Sequence, residues 1–278
     1  MPSEINPRVL LSQWGAHPKK KFGQNFLMDG GALRRIAKLV CDGEPGARVL
    51  EIGAGTGALT LALLEEGAAL TAVEIDPDLV SILGNRGDLA AATIAHADAL
   101  TYDYAAYARG GDWRAAGNLP YNVATPLIVR LVEMDHGPET IVVMIQKDVA
   151  ERLAAAPGTA AYGSLSVAVQ YGMHVERAFT LGPRAFYPPP NVDSTVVRLR
   201  RRAQPAVQPR DLALFRKVVR GAFAYRRKTL ANSLMLALAL DRETVSRAIS
   251  ESGLPAESRG EQLDLQAFCA LADNLAAG

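Results

Sequence analysis

The chain has 278 residues, of which 49% are hydrophobic and 21% charged, and a formal net charge of +1. At about 100–200 residues per domain, this length predicts one α/β domain and a smaller companion, with enough apolar residues for a buried core and no long charge-rich, apolar-poor stretch of the disordered kind. Cys41 and Cys269 stand far apart without a CxxC partner, and His17, His96, His136 and His174 show no metal-ligand spacing, so neither a disulfide framework nor a metal site is expected. The opening "MPSEINPRVLLSQWG" carries an early acid and two prolines where a leader would be basic and then apolar. The apolar runs are broken by charges such as Glu65 and Glu66, and the expectation is a cytoplasmic protein with no membrane segment.

From Ala47 to about Gln146, short apolar runs alternate with stretches of helical period, the pattern of a parallel sheet built from βα units. The predicted strands are "ARVLEI", "ALTAVEI", "ATIAHA", "DWRAAGN" and "TIVVMIQ". The predicted helices between them include "GALTLALLEEG", "PDLVSILGN" and "NVATPLIVRLVEM". A doubly wound sheet of this kind binds ligands at the carboxyl ends of its strands. Beyond it, "SLSVAVQYGMHVERAFTL" and "STVVRLRRR", rich in Val, Thr and Tyr, read as further strands joined by the rigid loop "GPRAFYPPPNVD". The Pro-containing stretch "RRAQPAVQPRD" is the predicted boundary, with one domain over residues 1–204 and a small all-α domain over 205–278. If residues 212–230 formed one helix, Leu212, Phe215, Val219, Phe223 and Leu230 would share a side and Arg216, Arg220 and Arg227 the adjoining one, unless Gly221 breaks it.

Several residues carry chemistry. "VLEIGAGTGALT" places Gly53, Gly55 and Gly57 between a strand and a helix, where small residues permit a tight turn and close approach of a nucleotide. The same pattern fits a dinucleotide fingerprint through Ala58, and a ligand-free turn also fits it. Glu74, about 20 residues on, is placed to accept ribose hydroxyls. Asp98 in "HADAL" can accept from an exocyclic amine or simply cap a helix. In "NLPY", Asn118 supplies a side-chain carbonyl, Pro120 fixes the turn and Tyr121 offers a stacking face, a set suited to the amino group of an aromatic base. Between Arg198 and Lys228, the bases Arg198, Arg200, Arg201, Arg202, Arg210, Arg216, Lys217, Arg220, Arg226, Arg227 and Lys228 face the single acid Asp211, either a solvated face or a nucleic-acid footprint.

In combination, "KKKFGQNFLMD", "EIGAGTG", "AVEID", "HADAL", "GNLPYNVATPL", "MIQKDVAERL", "AFYPPPNVDS" and "FRKVVRGAFAYRRKTLANSL" resemble the ribosomal RNA adenine N6,N6-dimethyltransferases of the KsgA/RsmA type, from about Lys19 to about Leu234. The resemblance implies a Rossmann-like α/β methyltransferase sheet using S-adenosylmethionine. It also implies two adjacent adenines in the terminal hairpin of small-subunit ribosomal RNA as acceptors, within a pre-assembled small subunit. Residues 1–46 would partly close the site. Gln24, Asn25 and Leu27 would close over the donor, with Gly53, Gly55, Glu74, Asp98 and Asn118 holding it. Asn118, Leu119, Pro120 and Tyr121 would meet the target base, and Phe186, otherwise an ordinary core aromatic, would stack on it opposite Tyr121. Lys19, Lys20 and Lys21 would join Arg216, Lys217, Arg220, Arg226, Arg227 and Lys228 on the RNA phosphates.

Three rival readings stand beside this one. A resistance-type methyltransferase of large-subunit RNA shares the NxPY core, but "FYPPPNVDS" and the helical tail favour the small-subunit type. A noncatalytic RNA-binding assembly factor would not need the intact glycine loop, Glu74, Asp98 and NLPY together, and a nicotinamide dehydrogenase has no use for NLPY or a basic tail. With no heptad seam in the sequence, a monomer is expected.

Overall fold

The protein was analysed as a computed structural model that describes residues 6–276, apart from the side chains of Tyr121 and Asn122. In chain order the elements are α1 (Pro7–Gln13), β1 (Phe26–Leu27), α2 (Gly30–Cys41), β2 (Arg48–Ile52), α3 (Ala58–Glu65), β3 (Ala69–Glu74), α4 (Pro77–Gly84), β4 (Thr93–His96), α5 (Tyr104–Ala108), β5 (Arg114–Asn118) and α6 (Tyr121–Glu133). They continue with β6 (Thr140–Gln146), α7 (Lys147–Ala154), α8 (Ser164–Gly172), β7 (Met173–Leu181), β8 (Phe186–Tyr187), β9 (Ser194–Arg201), α9 (Leu212–Ala224), α10 (Leu230–Leu238), α11 (Arg242–Glu251) and α12 (Leu265–Ala276). The main sheet runs β4-β3-β2-β5-β6-β9-β7. Its pairs from β4 to β6 are parallel and β9 joins β6 antiparallel. The chain order reverses between β2 and β5, the crevice where an open α/β sheet receives its ligand. A separate two-stranded ladder pairs Phe26 with Tyr187 and Leu27 with Phe186.

Close packing holds that crevice in shape. A side chain at Gly117 in β5 would collide with the Ile52 carbonyl oxygen of β2, and one at Gly57 would strike Leu83, Arg86 and Leu89. Arg86 also donates to the Thr56 carbonyl at 2.6 Å and pairs with Asp88, fixing the glycine turn from behind. The predicted strands and helices of the sheet are found where expected, and the Rossmann-like reading holds.

The chain divides into two units, one containing residues up to Ala150 together with Glu176–Arg201, the other Glu151–Val175 together with the chain from Arg202. This differs from the single cut expected at 204/205. The cause is α8, whose Val-rich sequence read as a strand but forms a helix. Ser166 donates to the Arg152 carbonyl at 2.5 Å, and Gln170 donates to the carbonyls of Leu153 and Ala155 at 2.9 Å, so α8 closes the end of α7. Val167 joins the core of Phe215, Val219, Leu230 and Phe268, and tertiary packing overrides β propensity. The strand reading is correct only from Met173 onward.

In the second unit α9 runs unbroken through Gly221, whose missing side chain admits Leu234, Ala237 and Leu238 of α10. The helix ends at Ala224, where Ser233 donates to the Gly221 carbonyl at 2.7 Å and accepts from the Tyr225 N–H at 3.3 Å. Arg226, Arg227 and Lys228 therefore lie in the turn between helices, so Arg227 is not on the helical face projected with Arg216 and Arg220.

Glu51, in β2, is fully buried and accepts a hydrogen bond from the Thr60 hydroxyl at 2.6 Å. Burial pushes its carboxyl up to about 8, offset in part by the Thr60 hydroxyl and reinforced by the charge of Glu74. The folded protein thus binds this proton more tightly than the unfolded chain, so the associated stability is present below the ordinary carboxylate range and is lost as pH rises toward 8. Glu51→Gln keeps the acceptor for Thr60, and thermal melts should show it gaining on the parent by several degrees between pH 5 and pH 8. A difference that does not change with pH would rule out this titration.

Candidate active site

A cavity of about 360 Å³ opens at the carboxyl ends of β2, β3 and β5, within the ~300–1,000 Å³ of small-molecule sites. Its walls bring together residues distant in sequence: Gly53 and Gly55 from the glycine turn, Glu74 and Ile75 after β3, Asp98 after β4, Asn118, Leu119 and Pro120 after β5, and Phe186 of β8. Residues 21–26 complete it, with Gln24 and Asn25 among them. The turn leaves room for a ligand, because Gly53 and Gly55 have φ of +74° and +60°, and a side chain at Gly53 would meet nothing closer than the Asn118 carbonyl oxygen at 3.9 Å.

Glu74 is the buried charge of the cavity. Its Oε2 accepts from Gly55 N–H at 2.8 Å, and its Oε1 accepts from the N–H groups of Ile75 and Asp76, both at 2.9 Å. Burial raises its pKa and these three backbone donors hold the rise back. Of about four acceptor positions on a carboxylate, three are taken, and the remaining capacity is on Oε2. Asp98 uses Oδ1 to accept from Leu100 N–H at 2.8 Å in a turn and lines the cavity, and the cap of the following helix is Asp103 instead.

Asn118 donates its side-chain amide to the Asn25 carbonyl at 2.7 Å, which settles the orientation of the group and leaves Oδ1 as an acceptor. Phe186 is 3% exposed, packed into the core that includes Leu27, Ile36 and Val196 while also lining the cavity, so it is both a core aromatic and a wall of the site. The side chain of Tyr121 lies outside the described residues.

Two of the expected residues differ from their neighbours in placement. The Leu27 side chain, expected over the donor, packs in the core and borders a small recess shared with Gly53, Gly55 and Asn118, while Phe26 lines the main cavity, successive residues of β1 facing opposite ways. That alternation was the available signal for Phe26. Lys19, expected on RNA phosphates, has its ammonium 2.5 Å from Asp76 and 2.6 Å from Asp78, whereas Lys20 and Lys21 are exposed. Part of the basic run is also structural: Arg198 pairs with Asp42, and Arg201 donates to the carbonyls of Pro138, Leu131 and Val132. Lys217, Arg220, Arg226, Arg227 and Lys228 are exposed and Arg216 is half-buried; Arg226 also donates to the Ala160 carbonyl at 3.0 Å.

The sequence matches the family model described as ribosomal RNA adenine dimethylase over residues 15–276. The chain belongs to the ribosomal RNA adenine dimethylase family. Among its relatives, the ribosomal RNA small subunit methyltransferase A of Pseudomonas aeruginosa is 47% identical over 262 residues, covering 93% of this chain and 94% of that protein. The protein of the same name from Streptococcus gordonii is 41% identical over 277 residues, covering 96% of this chain and 95% of its own. Among solved structures, the 23S rRNA methyltransferase ErmE superposes with a TM-score of 0.67 at 27% identity, covering 91% of this chain and all of that one. A dimethyladenosine transferase from Plasmodium falciparum shares the fold, with a TM-score of 0.70 at 23% identity over 88% of this chain and 95% of its own.

Membership in the dimethylase family makes the protein an S-adenosylmethionine-dependent ribosomal RNA adenine methyltransferase. The cavity suits that donor: a glycine turn with space on its ligand side, and a buried carboxylate with a free acceptor position beside it. No helix among the described residues is long and apolar enough to cross a membrane, and no cluster of metal-binding side chains occurs among them.

Because burial holds the Glu74 carboxyl above its ordinary pKa, donor affinity should weaken as pH falls from neutral into the acid range, when protonation removes the acceptor. Calorimetry across that range should show the decline in the parent protein and a flat profile in Glu74→Gln. A parallel decline in both would assign the pH dependence to another group.

Proposed function

We propose that this protein transfers methyl groups from S-adenosylmethionine to N6 of two adjacent adenines in the 3′-terminal hairpin of small-subunit ribosomal RNA, acting as a cytoplasmic monomer on pre-assembled small subunits. The observation that carries the reading is the Asn118 amide. With its N–H₂ group held by the Asn25 carbonyl, Oδ1 is the atom left for an amine hydrogen, in the same cavity as Glu74 and Phe186. Near full-length identity of 47% to a small-subunit methyltransferase supports that substrate over the large-subunit one of the more distant ErmE.

S-adenosylmethionine supplies a methyl group already activated on sulfur, so this chain's residues have mainly to align and exclude water. Gly53, Gly55, Glu74 and Asp98 would hold the donor. The adenine N6 lone pair is delocalised into the ring and is a poor nucleophile. Asn118 Oδ1 and the Leu119 carbonyl accept its two hydrogens, favour a pyramidal nitrogen and stabilise the positive charge that develops there. Phe186 would stack on the flipped base opposite Tyr121, Pro120 opens the helix that follows it, and the proton leaves to water after transfer. Lys20, Lys21, Lys217, Arg220, Arg226, Arg227 and Lys228, with Arg216 beside them in sequence, would meet RNA phosphates, contacts that position without specifying sequence.

Incubation with labelled S-adenosylmethionine and under-methylated small subunits, followed by primer extension, should map dimethylation to two neighbouring adenines near the 3′ end. Label on large-subunit RNA instead, or no transfer despite tight RNA binding, would refute the reading. Asn118→Ala should lower kcat by about 10²–10³-fold, the scale of a lost transition-state hydrogen bond, with donor Kd changed less than about threefold. An equal loss in both would make Asn118 a binding residue only. Replacing Arg226, Arg227 and Lys228 together by Ala should flatten the salt dependence of subunit binding by roughly two units of log–log slope, at ~0.7–0.9 per phosphate contact; an unchanged slope would remove this turn from the RNA interface.

A further inference from the structure

Three consecutive lysines precede the segment that closes the cavity, and one of them behaves differently from the others. Lys19 Nζ lies 2.5 Å from Asp76 Oδ1 and 2.6 Å from Asp78 Oδ2, across 57 and 59 residues of chain. The Asp76 side chain is 2% exposed, so this is not an ordinary surface pair. The second Asp76 oxygen accepts from the Gln24 side-chain N–H at 2.8 Å, and the Gln24 side-chain oxygen Oε1 accepts from the Lys19 backbone N–H at 2.7 Å. Lys19, Gln24 and Asp76 thus close a ring of polar contacts that leaves each group partnered. Gly23 makes the ring reachable: at φ +63° it reverses the chain between the lysine and the glutamine.

The ring is joined to the chemistry at both ends. Asp76 N–H donates to Glu74 Oε1, and one residue beyond Gln24 the Asn25 carbonyl receives the Asn118 amide. One short segment therefore touches the partners of both the donor-side carboxylate and the target-side amide. None of these contacts involves RNA.

We propose that Lys19 is a positioning residue for methyl transfer: its ammonium fastens residues 19–25 over the donor cavity, so that closing the cavity and orienting Asn118 are a single event. The proposal rests on the reading of this cavity as the donor site. Without the ammonium, buried Asp76 keeps only Gln24 as a side-chain partner and sits beside the like charge of Asp78, a state relieved by lifting the segment and letting water reach Asp76. A lifted segment retains the donor poorly, while the RNA-facing lysines, Lys20 and Lys21, are untouched.

The test measures S-adenosylmethionine binding by calorimetry without RNA, together with KM for the donor, kcat, and the salt dependence of small-subunit binding, for Lys19→Met, Lys19→Arg, Asp76→Asn and Glu74→Ala. The expected result is a roughly tenfold rise in donor Kd and KM for Lys19→Met, subunit affinity and salt slope unchanged, near-complete rescue in Lys19→Arg, and a Lys19→Met/Asp76→Asn double variant no worse than Asp76→Asn alone. Unchanged donor binding with weaker, less salt-dependent subunit binding would overturn the proposal and return Lys19 to the phosphates. A loss of kcat with unchanged donor KM and a lowered Tm would overturn it in favour of a purely structural pair. Should Asp76→Asn fail to fold, the Met and Arg variants of the half-exposed lysine carry the decision alone. Glu74→Ala separates the two levels: if it also leaves donor binding intact, the cavity assignment has failed; if it abolishes binding while Lys19→Met does not, only the fastening has.

Discussion

The site is organised around a carboxylate that the backbone already holds. Glu74 is buried, and a buried ionised carboxylate is costly unless its oxygens find donors. Here they come from Gly55, Ile75 and Asp76, so a single side chain ties the glycine turn after β2 to the segment after β3. The turn must be glycine on one side because its φ values are positive, and packed tightly on the other, where Gly57 abuts Leu83, Arg86 and Leu89. The placement of the carboxylate and the shape of the sheet crevice are thus one constraint.

From this anchor the rest of the site is assembled by contacts between distant parts of the chain. Asp76 carries the connection from Glu74 outward to Gln24 and Lys19, and Asn25 carries it back to Asn118. Chemistry that needs alignment more than acid–base power depends on such placement, since an amide oxygen displaced by an ångström no longer meets the amine it must polarise. The buried Glu51 beside Thr60 serves a different end: it lies behind the turn, and its neutral form is the one compatible with its surroundings at neutral pH.

What the sequence revealed was local. The strands flanking the glycine turn, the acid at the end of β3 and the NLPY segment after β5 could be read because strand period, turn residues and sequence spacing lie within a few residues of one another. What it hid was nonlocal or alternated at single-residue resolution. The valines of α8 suggested a strand, and only the carbonyls at the end of α7 and the core of the second unit explain the helix. Lys19 resembled its neighbours in a basic run because its acidic partners are more than fifty residues away. Phe26 was not singled out, although alternation along β1 puts it on the main cavity once the Leu27 side chain turns to the core. The cause of the basic run itself is mixed: Arg198 and Arg201 serve the fold, and composition does not separate them from the exposed bases after α9.

The ladder between β1 and β8 has a consequence for successive turnovers. Phe26 and Leu27 pair with Tyr187 and Phe186, so two walls of the cavity, Phe26 and Phe186, belong to two strands of one ribbon. Dimethylation of one nitrogen requires a spent donor to leave and a fresh one to enter between transfers. A displacement of either strand is carried to the other through their shared backbone hydrogen bonds, so the two walls move together.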